Sequence, residues 1–322
     1  MISARRRMLF VMDPIEGEDF AASTTIVLMH EAQRRGHEVL FAQQADLSIE
    51  LGRACANVTP ITLDATLNGR FERGESRRAV LDDEIDVAFQ RKDPPVDADY
   101  VAATQILGTC RRSLVLNRPT SVIAYNEKLF ALHFPDLMPE TTVTRSIAEL
   151  RAFMKSLGGE MIVKPLDGKG GEGIFHLYEG ERNVSSILEQ VSQFETRWVM
   201  AQRYLPAVRD GDKRILLLEG EPLGAVLRVP ADSEVRANLH VGGRAAQAGL
   251  SDADRRIIAR VGPALREAGL FFVGIDVIGD KLTEINVTSP TGMQEINTLD
   301  GVRLEEAVIA RVEALIAERG GA

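Results

Sequence analysis

Cysteine is scarce in this sequence. Cys55 and Cys110 are the only two, far apart and in neither a Cys-x-x-Cys nor a Cys-x-x-His spacing. That excludes a disulfide framework and a structural zinc site, and it fits a reducing compartment. Histidine is sparse too: His30, His37, His133, His176 and His240 form no metal-binding or triad pattern. Long apolar runs are missing. After Arg5, Arg6 and Arg7 the run spans only Met8 to Met12 before Asp13 and Pro14. This is too short for a secretory signal, and no stretch reaches the ~20 residues of a membrane span. The net charge of −9 leaves no broad basic face, which argues against nucleic-acid and anionic-membrane partners. The expectation is a cytoplasmic protein with neither partner.

What is present is enough apolar sequence for a sizeable core: 322 residues, 45% hydrophobic, sufficient for two or three domains. MLFVMDP reads as a buried parallel strand. Ser23 caps a helix over TTIVLMHEAQRRG that Gly36 closes, and HEVLFAQ follows as a strand. This β-α-β order, with further strands at 85–95 and 113–119, predicts an N-terminal doubly wound α/β domain over 1–122. The rest reads as α+β in two subdomains, 123–198 and 199–322. Helices are expected over 126–134 and 146–158, with Trp198 in the core at the start of a strand. Glu219-Gly220 and Gly279-Asp280 mark hairpins between β-type runs. RLEEAVIARVEALIAERGG reads as an amphipathic closing helix.

The most informative stretch is VKPLDGKGGEGIF. Gly168, Gly170 and Gly173 fit G-x-G-x-x-G, with Gly171 among them. A dinucleotide fingerprint needs a helix next, but IFHLY favours β. A Walker loop needs Ser or Thr after the lysine, and Gly170 follows Lys169. A protein kinase needs HRD and DFG, which are missing. A phosphate-covering hairpin survives. Glycines let backbone N–H groups turn toward phosphate oxygens, and Lys164 just before the loop can meet their charge. A flexible surface hairpin would use glycines as well.

Asp276, Glu284 and Asn286 form a second constellation. Glu284 and Asn286 are two apart and share a strand face, with Asp276 on the other strand of the hairpin. Three such oxygens, completed by phosphates and water, suit Mg²⁺. The two carboxylates are expected to repel unless a cation sits between them. Their apolar flanks, VGIDVI and LTEINV, imply a buried strand whose polar residues need a reason.

With these motifs in place, and with MDPI, EAQRRGHE, RKDPP, NRP, NEKLF, MAQRYLP, GDKR, GGR and EINVTSPT in the same order, the sequence resembles the prokaryotic glutathione synthetase family of the ATP-grasp superfamily nearly end to end. The resemblance implies an ATP-grasp fold of two α+β subdomains gripping ATP. It implies an ATP-dependent ligase that joins γ-glutamylcysteine and glycine into glutathione, ADP and phosphate through an acyl phosphate. It also implies Mg²⁺ or Mn²⁺ and a homotetramer.

By position, the resemblance puts Lys128 and Lys164 on the ATP phosphates and the N7 side of the nucleotide, beneath the glycine loop. Gln202, Tyr204 and Leu205 would line the adenine and Asp212 would hold the ribose. Asp276, Glu284 and Asn286 would hold the metal. Arg214 and Arg228 would face the substrate carboxylate and its acyl phosphate, where a planar guanidinium suits paired oxygens. Ser289, Pro290 and Thr291 would bind near the peptide. The segment 229–244 has no clean periodicity and reads as a lid from which Arg236 and Asn238 reach substrate. The helix start near Ser23 and the RKDPP loop are expected at the γ-glutamyl end, since a helix N-terminus favours an anion. The residues alone leave open another ATP-grasp carboxylate–amine ligase with a different acceptor, or a nucleotide-binding scaffold without turnover.

Overall fold

A computed structural model describes residues 5–168, 170–231 and 242–320. Its first strand is apolar on both faces, and that determines the N-terminal architecture. β1 (Arg7–Val11) leads through α1 (Thr24–Arg34) to β2 (Glu38–Ala42), its parallel neighbour. The chain continues through β3 (Leu47–Glu50), β4 (Arg53–Leu63), β5 (Phe71–Arg73), β6 (Arg77–Val80), α2 (Leu81–Glu84), β7 (Val87–Gln90), α3 (Ala98–Leu107), β8 (Leu114–Leu116) and α4 (Pro119–Ala124). The sheet order is β3-β4-β2-β1-β7-β8, with β5 and β6 also pairing with β4. Strands β2, β1, β7 and β8 are parallel, and β3 to β6 are antiparallel. Met8 and Phe10 enter one core with Ile26 and Leu28 of α1, while Leu9 and Val11 enter another with Leu107 of α3. Helices therefore cover both faces, as a doubly wound sheet requires. Ser23 caps α1 as expected, its Oγ accepting the Ile26 N–H at 3.3 Å.

A four-stranded antiparallel sheet follows: β9 (Thr141–Thr144), β10 (Glu160–Pro165), β11 (Phe175–Tyr178) and β12 (Val199–Gln202), in the order β11-β10-β12-β9. α5 (Ile147–Ser156) and α6 (Val184–Val191) pack on it through Leu150 and Leu188 against Met161, Val163 and Leu177. The third sheet holds β13 (Asp212–Leu218), β14 (Glu221–Val229), β15 (Arg244–Gln247), β16 (Phe272–Ile278) and β17 (Lys281–Asn286), in the order β15-β14-β13-β16-β17. α7 (Asp252–Glu267) covers it through Ile257, Val261 and Leu265. At the expected hairpin turn, Glu219 and Gly220 take φ of 48° and 78°, as a type I′ turn requires. A Cβ on Gly220 would lie 2.4 Å from the Gly262 carbonyl oxygen, so the turn packs directly on α7.

After α8 (Met293–Asp300), α9 (Leu304–Gly320) returns to the N-terminal sheet. Val308, Ile309, Val312 and Ile316 join the core of Met8, Phe10 and Ile26. Ion pairs secure this return. Glu31, whose side chain is fully buried, binds Arg34 at 2.7 Å and Arg303 at 2.9 Å, and Glu313 binds His37 at 2.7 Å and also Arg35. No described helix is long and apolar enough to cross a membrane.

Two expectations fail. Residues 126–134 do not form the expected helix. The Asn126 side chain accepts the N–H groups of Lys128 and Leu129 at 3.0 and 3.1 Å, making a turn, and only a 3₁₀ segment, Phe130–His133, follows before Pro135. Trp198 is not core. It is 53% exposed, with the Arg145 guanidinium 5.2 Å from its ring centroid.

Candidate active site

The second and third sheets face each other across a cavity of about 830 Å³ that extends to the start of α1. Its acids come from the β16–β17 hairpin, where Asp276 stands opposite Glu284 and Gly274 opposite Asn286. Arg214 lies across from Asp276 on the neighbouring strand, β13. Its Nε and Nη2 reach the two Asp276 oxygens at 2.5 and 2.9 Å, a bidentate fork. Arg228 on β14 places Nη2 3.0 Å from Asp276 and 2.6 Å from Asp212. Asn286 Nδ2 donates to Asp276 at 3.3 Å. Burial pushes the Asp276 carboxyl up, but the two guanidiniums prevail and hold it well below the carboxylate range.

Glu284 has different partners. Lys128 Nζ and Lys164 Nζ lie 3.6 and 3.4 Å from its Oε1. Against the opposing effect of burial, the two ammoniums hold its pKa below the ordinary value, while burial lowers that of Lys164. The expected repulsion between the two acids is thus met by four of the protein's own cations, and no added ion is needed to keep them together.

The glycine loop closes over this centre. Lys128 Nζ also donates to the Gly168 carbonyl at 2.8 Å, so a single ammonium joins the loop to Glu284. Gly170, Gly171 and Gly173 all take positive φ, and a Cβ on Gly168 would meet the Glu172 carbonyl oxygen at 2.8 Å. Here glycine is required by backbone shape. Gln202, Tyr204 and Leu205 also line the cavity, with the Tyr204 ring stacked on His176 at 4.0 Å between centroids. Asp212 lines the cavity as well. Burial pushes its carboxyl up to about 6, and its buried Oδ1 has no hydrogen-bond partner among the described residues.

Ser289, Pro290 and Thr291 line the part of the cavity next to the start of α1. They are held by arginines: Arg214 Nη1 donates to the Thr291 carbonyl at 3.2 Å, and buried Arg91 donates to the Pro290 carbonyl at 2.9 Å and to Thr25 Oγ1 at 3.1 Å. Ser23, Thr24 and Thr25 at the start of α1 also line the cavity, as do Glu18 and Asp93. Arg236 and Asn238 lie outside the described residues. Glu127 lines the cavity and escaped the sequence reading, although it precedes Lys128 in the same NEKL motif.

The donor set fits a hard divalent cation. Asp276, Glu284 and Asn286 open on one cavity and offer only oxygen ligands. Just two are acidic, and no group of three His, Cys, Asp or Glu able to hold a metal occurs among the described residues. An ion here would therefore take its remaining oxygens from a bound phosphate and water.

Comparison with known proteins gives this geometry its relatives. The model of the prokaryotic glutathione synthetase ATP-grasp domain matches residues 127–301, and that of the same family's N-terminal domain matches residues 7–122. A glutathione synthetase of Gloeobacter violaceus is 47% identical over 312 residues, covering 94% of this chain and 95% of that protein. One from Salmonella typhimurium is 42% identical, covering 96% and 98%. Among solved structures, the D-cycloserine synthetase DcsG superposes with a TM-score of 0.65 at 15% identity, covering 95% of this chain and 99% of that one. The macrocyclase MdnC, bound with its precursor peptide, gives 0.63 at 12% identity, covering 97% and 99%. These two likenesses concern the fold.

Proposed function

The chain belongs to the prokaryotic glutathione synthetase family, and from that premise we infer its chemistry: an ATP-dependent ligase joining γ-glutamylcysteine and glycine into glutathione, with ADP and phosphate released. A carboxylate is a poor electrophile, and phosphorylation by ATP gives it a leaving group. Phosphoryl transfer needs positioned positive charge more than a protein nucleophile. One observation carries the reading. Lys128, Lys164, Arg214 and Arg228 converge on two opposed acids beneath a glycine hairpin.

The roles of individual residues are proposals. Lys128 and Lys164 bind the ATP phosphates and Gly168, Gly170, Gly171 and Gly173 cover them. Gln202, Tyr204 and Leu205 receive the adenine. Asp212, with its open Oδ1, accepts from a ribose hydroxyl. Arg214 and Arg228 steady the substrate carboxylate as it becomes an acyl phosphate. Ser289, Pro290 and Thr291 position the peptide, and Arg236 and Asn238 contact the substrate. The enzyme uses ATP and a divalent metal. We propose Mg²⁺, held by Asp276, Glu284 and Asn286, where it would neutralise phosphate charge. The acyl phosphate is labile in water, so the closed glycine loop also protects it. Residues 1–122 act as the substrate-binding domain and 123–198 and 199–322 as the two jaws, in a cytoplasmic homotetramer without nucleic-acid or membrane partners.

The test is ADP release with ATP, γ-glutamylcysteine and a panel of acceptor amines. Glycine should stimulate release most. If glycine gives no stimulation, the assignment of this acceptor fails.

A further inference from the structure

Ligation requires a proton acceptor. An α-amino acid reaches the site mostly as its ammonium at neutral pH, and an ammonium has no lone pair with which to attack. No described histidine lines the cavity, but several carboxylates do, and a carboxylate can serve. Most of those present are committed elsewhere. Asp276 and Asp212 are tied to guanidiniums, and Glu284 to two lysines. Glu172 belongs to the glycine loop, Glu18 and Asp19 stand by α1, and Asp93 and Glu295 have partners of their own.

Glu127 is placed differently. It sits on the cavity wall between Lys128, at the phosphate end, and Thr288, where the peptide-end loop begins. Its Oε1 accepts both the Thr288 Oγ1–H at 2.6 Å and the Thr288 N–H at 3.3 Å. Its Oε2 bonds to none of the described residues. A carboxylate on the cavity wall, with no guanidinium or ammonium bonded to it and Oε2 bonded to no described residue, is suited to meet a ligand N–H.

We propose that Glu127 is a catalytic residue of this site that receives the acceptor's ammonium and takes its proton. The inference rests on the ligase reading above. The proton moves from acceptor nitrogen to Glu127 Oε2. The freed lone pair forms the C–N bond at the acyl carbon, and the C–O bond to phosphate breaks with its electron pair on the departing phosphate. The nitrogen's second surplus proton leaves on that phosphate, and Glu127 returns its own to water. Burial raises the Glu127 carboxyl, the direction that makes it a better base at neutral pH.

Hydroxylamine separates this role from a structural one. It is uncharged at neutral pH, so it attacks an acyl phosphate without first losing a proton, giving a hydroxamate. In Glu127→Gln the amide oxygen can still accept from Thr288. With glycine, product formation should fall about 10²-fold or more. With hydroxylamine, hydroxamate formation and ADP release should stay within about threefold of the unaltered enzyme. Glu127→Asp should recover part of the glycine rate. Equal loss with both acceptors would overturn the proposal, because Glu127 would then only brace the 288–291 loop. Full retention with both would overturn it as well. An unaltered enzyme inert toward both amines would instead sink the ligase reading itself.

Discussion

Asp276 and Glu284 face each other across one antiparallel pair, yet each is neutralised by a different kind of cation. Asp276 is held by the guanidiniums of Arg214 and Arg228, and Glu284 by the ammoniums of Lys128 and Lys164. These two acids are thus paired with the protein's own cations. Loading a polyanion and a divalent cation must redistribute these partnerships, and the consequences can be measured.

Removing the guanidinium of Arg214 should cost the reaction on the order of 10²–10³ in kcat, about 3–4 kcal/mol, as for loss of one positioned donor to a developing charge. Arg214→Lys should not restore it, because an ammonium cannot reproduce the two-pronged contact at 2.5 and 2.9 Å. A loss below about tenfold in Arg214→Ala would contradict the role.

Glu284→Gln leaves Lys128 and Lys164 close together in a buried site without their counter-ion. The ligand-free protein should lose about 3 kcal/mol of stability. ATP added with a chelator supplies the missing negative charge, so it should raise Tm more in the variant than in the unaltered protein. Equal increments would show that the lysines do not bind the triphosphate.

Asn117 joins the N-terminal sheet to the third sheet. Its side chain accepts the Phe272 N–H at 2.8 Å and donates to the Phe272 and Val287 carbonyls at 2.9 and 2.8 Å, all buried. Asn117→Ala strands these backbone groups and should cost about 2–4 kcal/mol. Denaturant unfolding would detect it, and a change under about 0.5 kcal/mol would mean that water replaces the amide.

Glu31 gives a prediction with a pH sign. Burial raises its carboxyl, but Arg34 and Arg303 outweigh that and hold it below its ordinary value of 4.5. A depressed carboxylate contributes stability that is present above the ordinary value and lost as pH falls through the folded one. Glu31→Gln should therefore destabilise the protein at pH 7, by about 1 kcal/mol because both arginines are nearly half exposed and screened by water, with the difference shrinking below about pH 4.5. Stability curves for both proteins between pH 3 and 7 would show whether the gap closes.

The sequence was most legible where local physics acts alone. The period of Met8 to Val11, the Ser23 cap and the Glu219-Gly220 turn depend on near neighbours, and each formed as read. The Gly168–Gly173 loop and the Asp276–Glu284 pairing were legible because hairpins bring close sequence together. Long-range packing hid the rest. Leu129 and Phe130 looked helical, but the Asn126 turn prevailed, and the Glu127 carbonyl instead accepts from Ile285 on β17. The antiparallel block β3 to β6 gave little signal, since Pro60 interrupts the apolar pattern of β4. Glu127 was passed over because nothing within NEKL shows that Thr288, 161 positions later, binds it.

The path of α9 bears on how this protein is made. Val308, Val312 and Ile316 finish a core begun by Met8 and Phe10. A ribosome releases the first sheet long before it releases that cover. The nascent N-terminal half must wait with one apolar face uncovered, a period in which a chaperone or misassociation can intervene. A fragment ending near residue 122 should therefore aggregate when expressed alone, and a separately supplied C-terminal half should rescue its solubility.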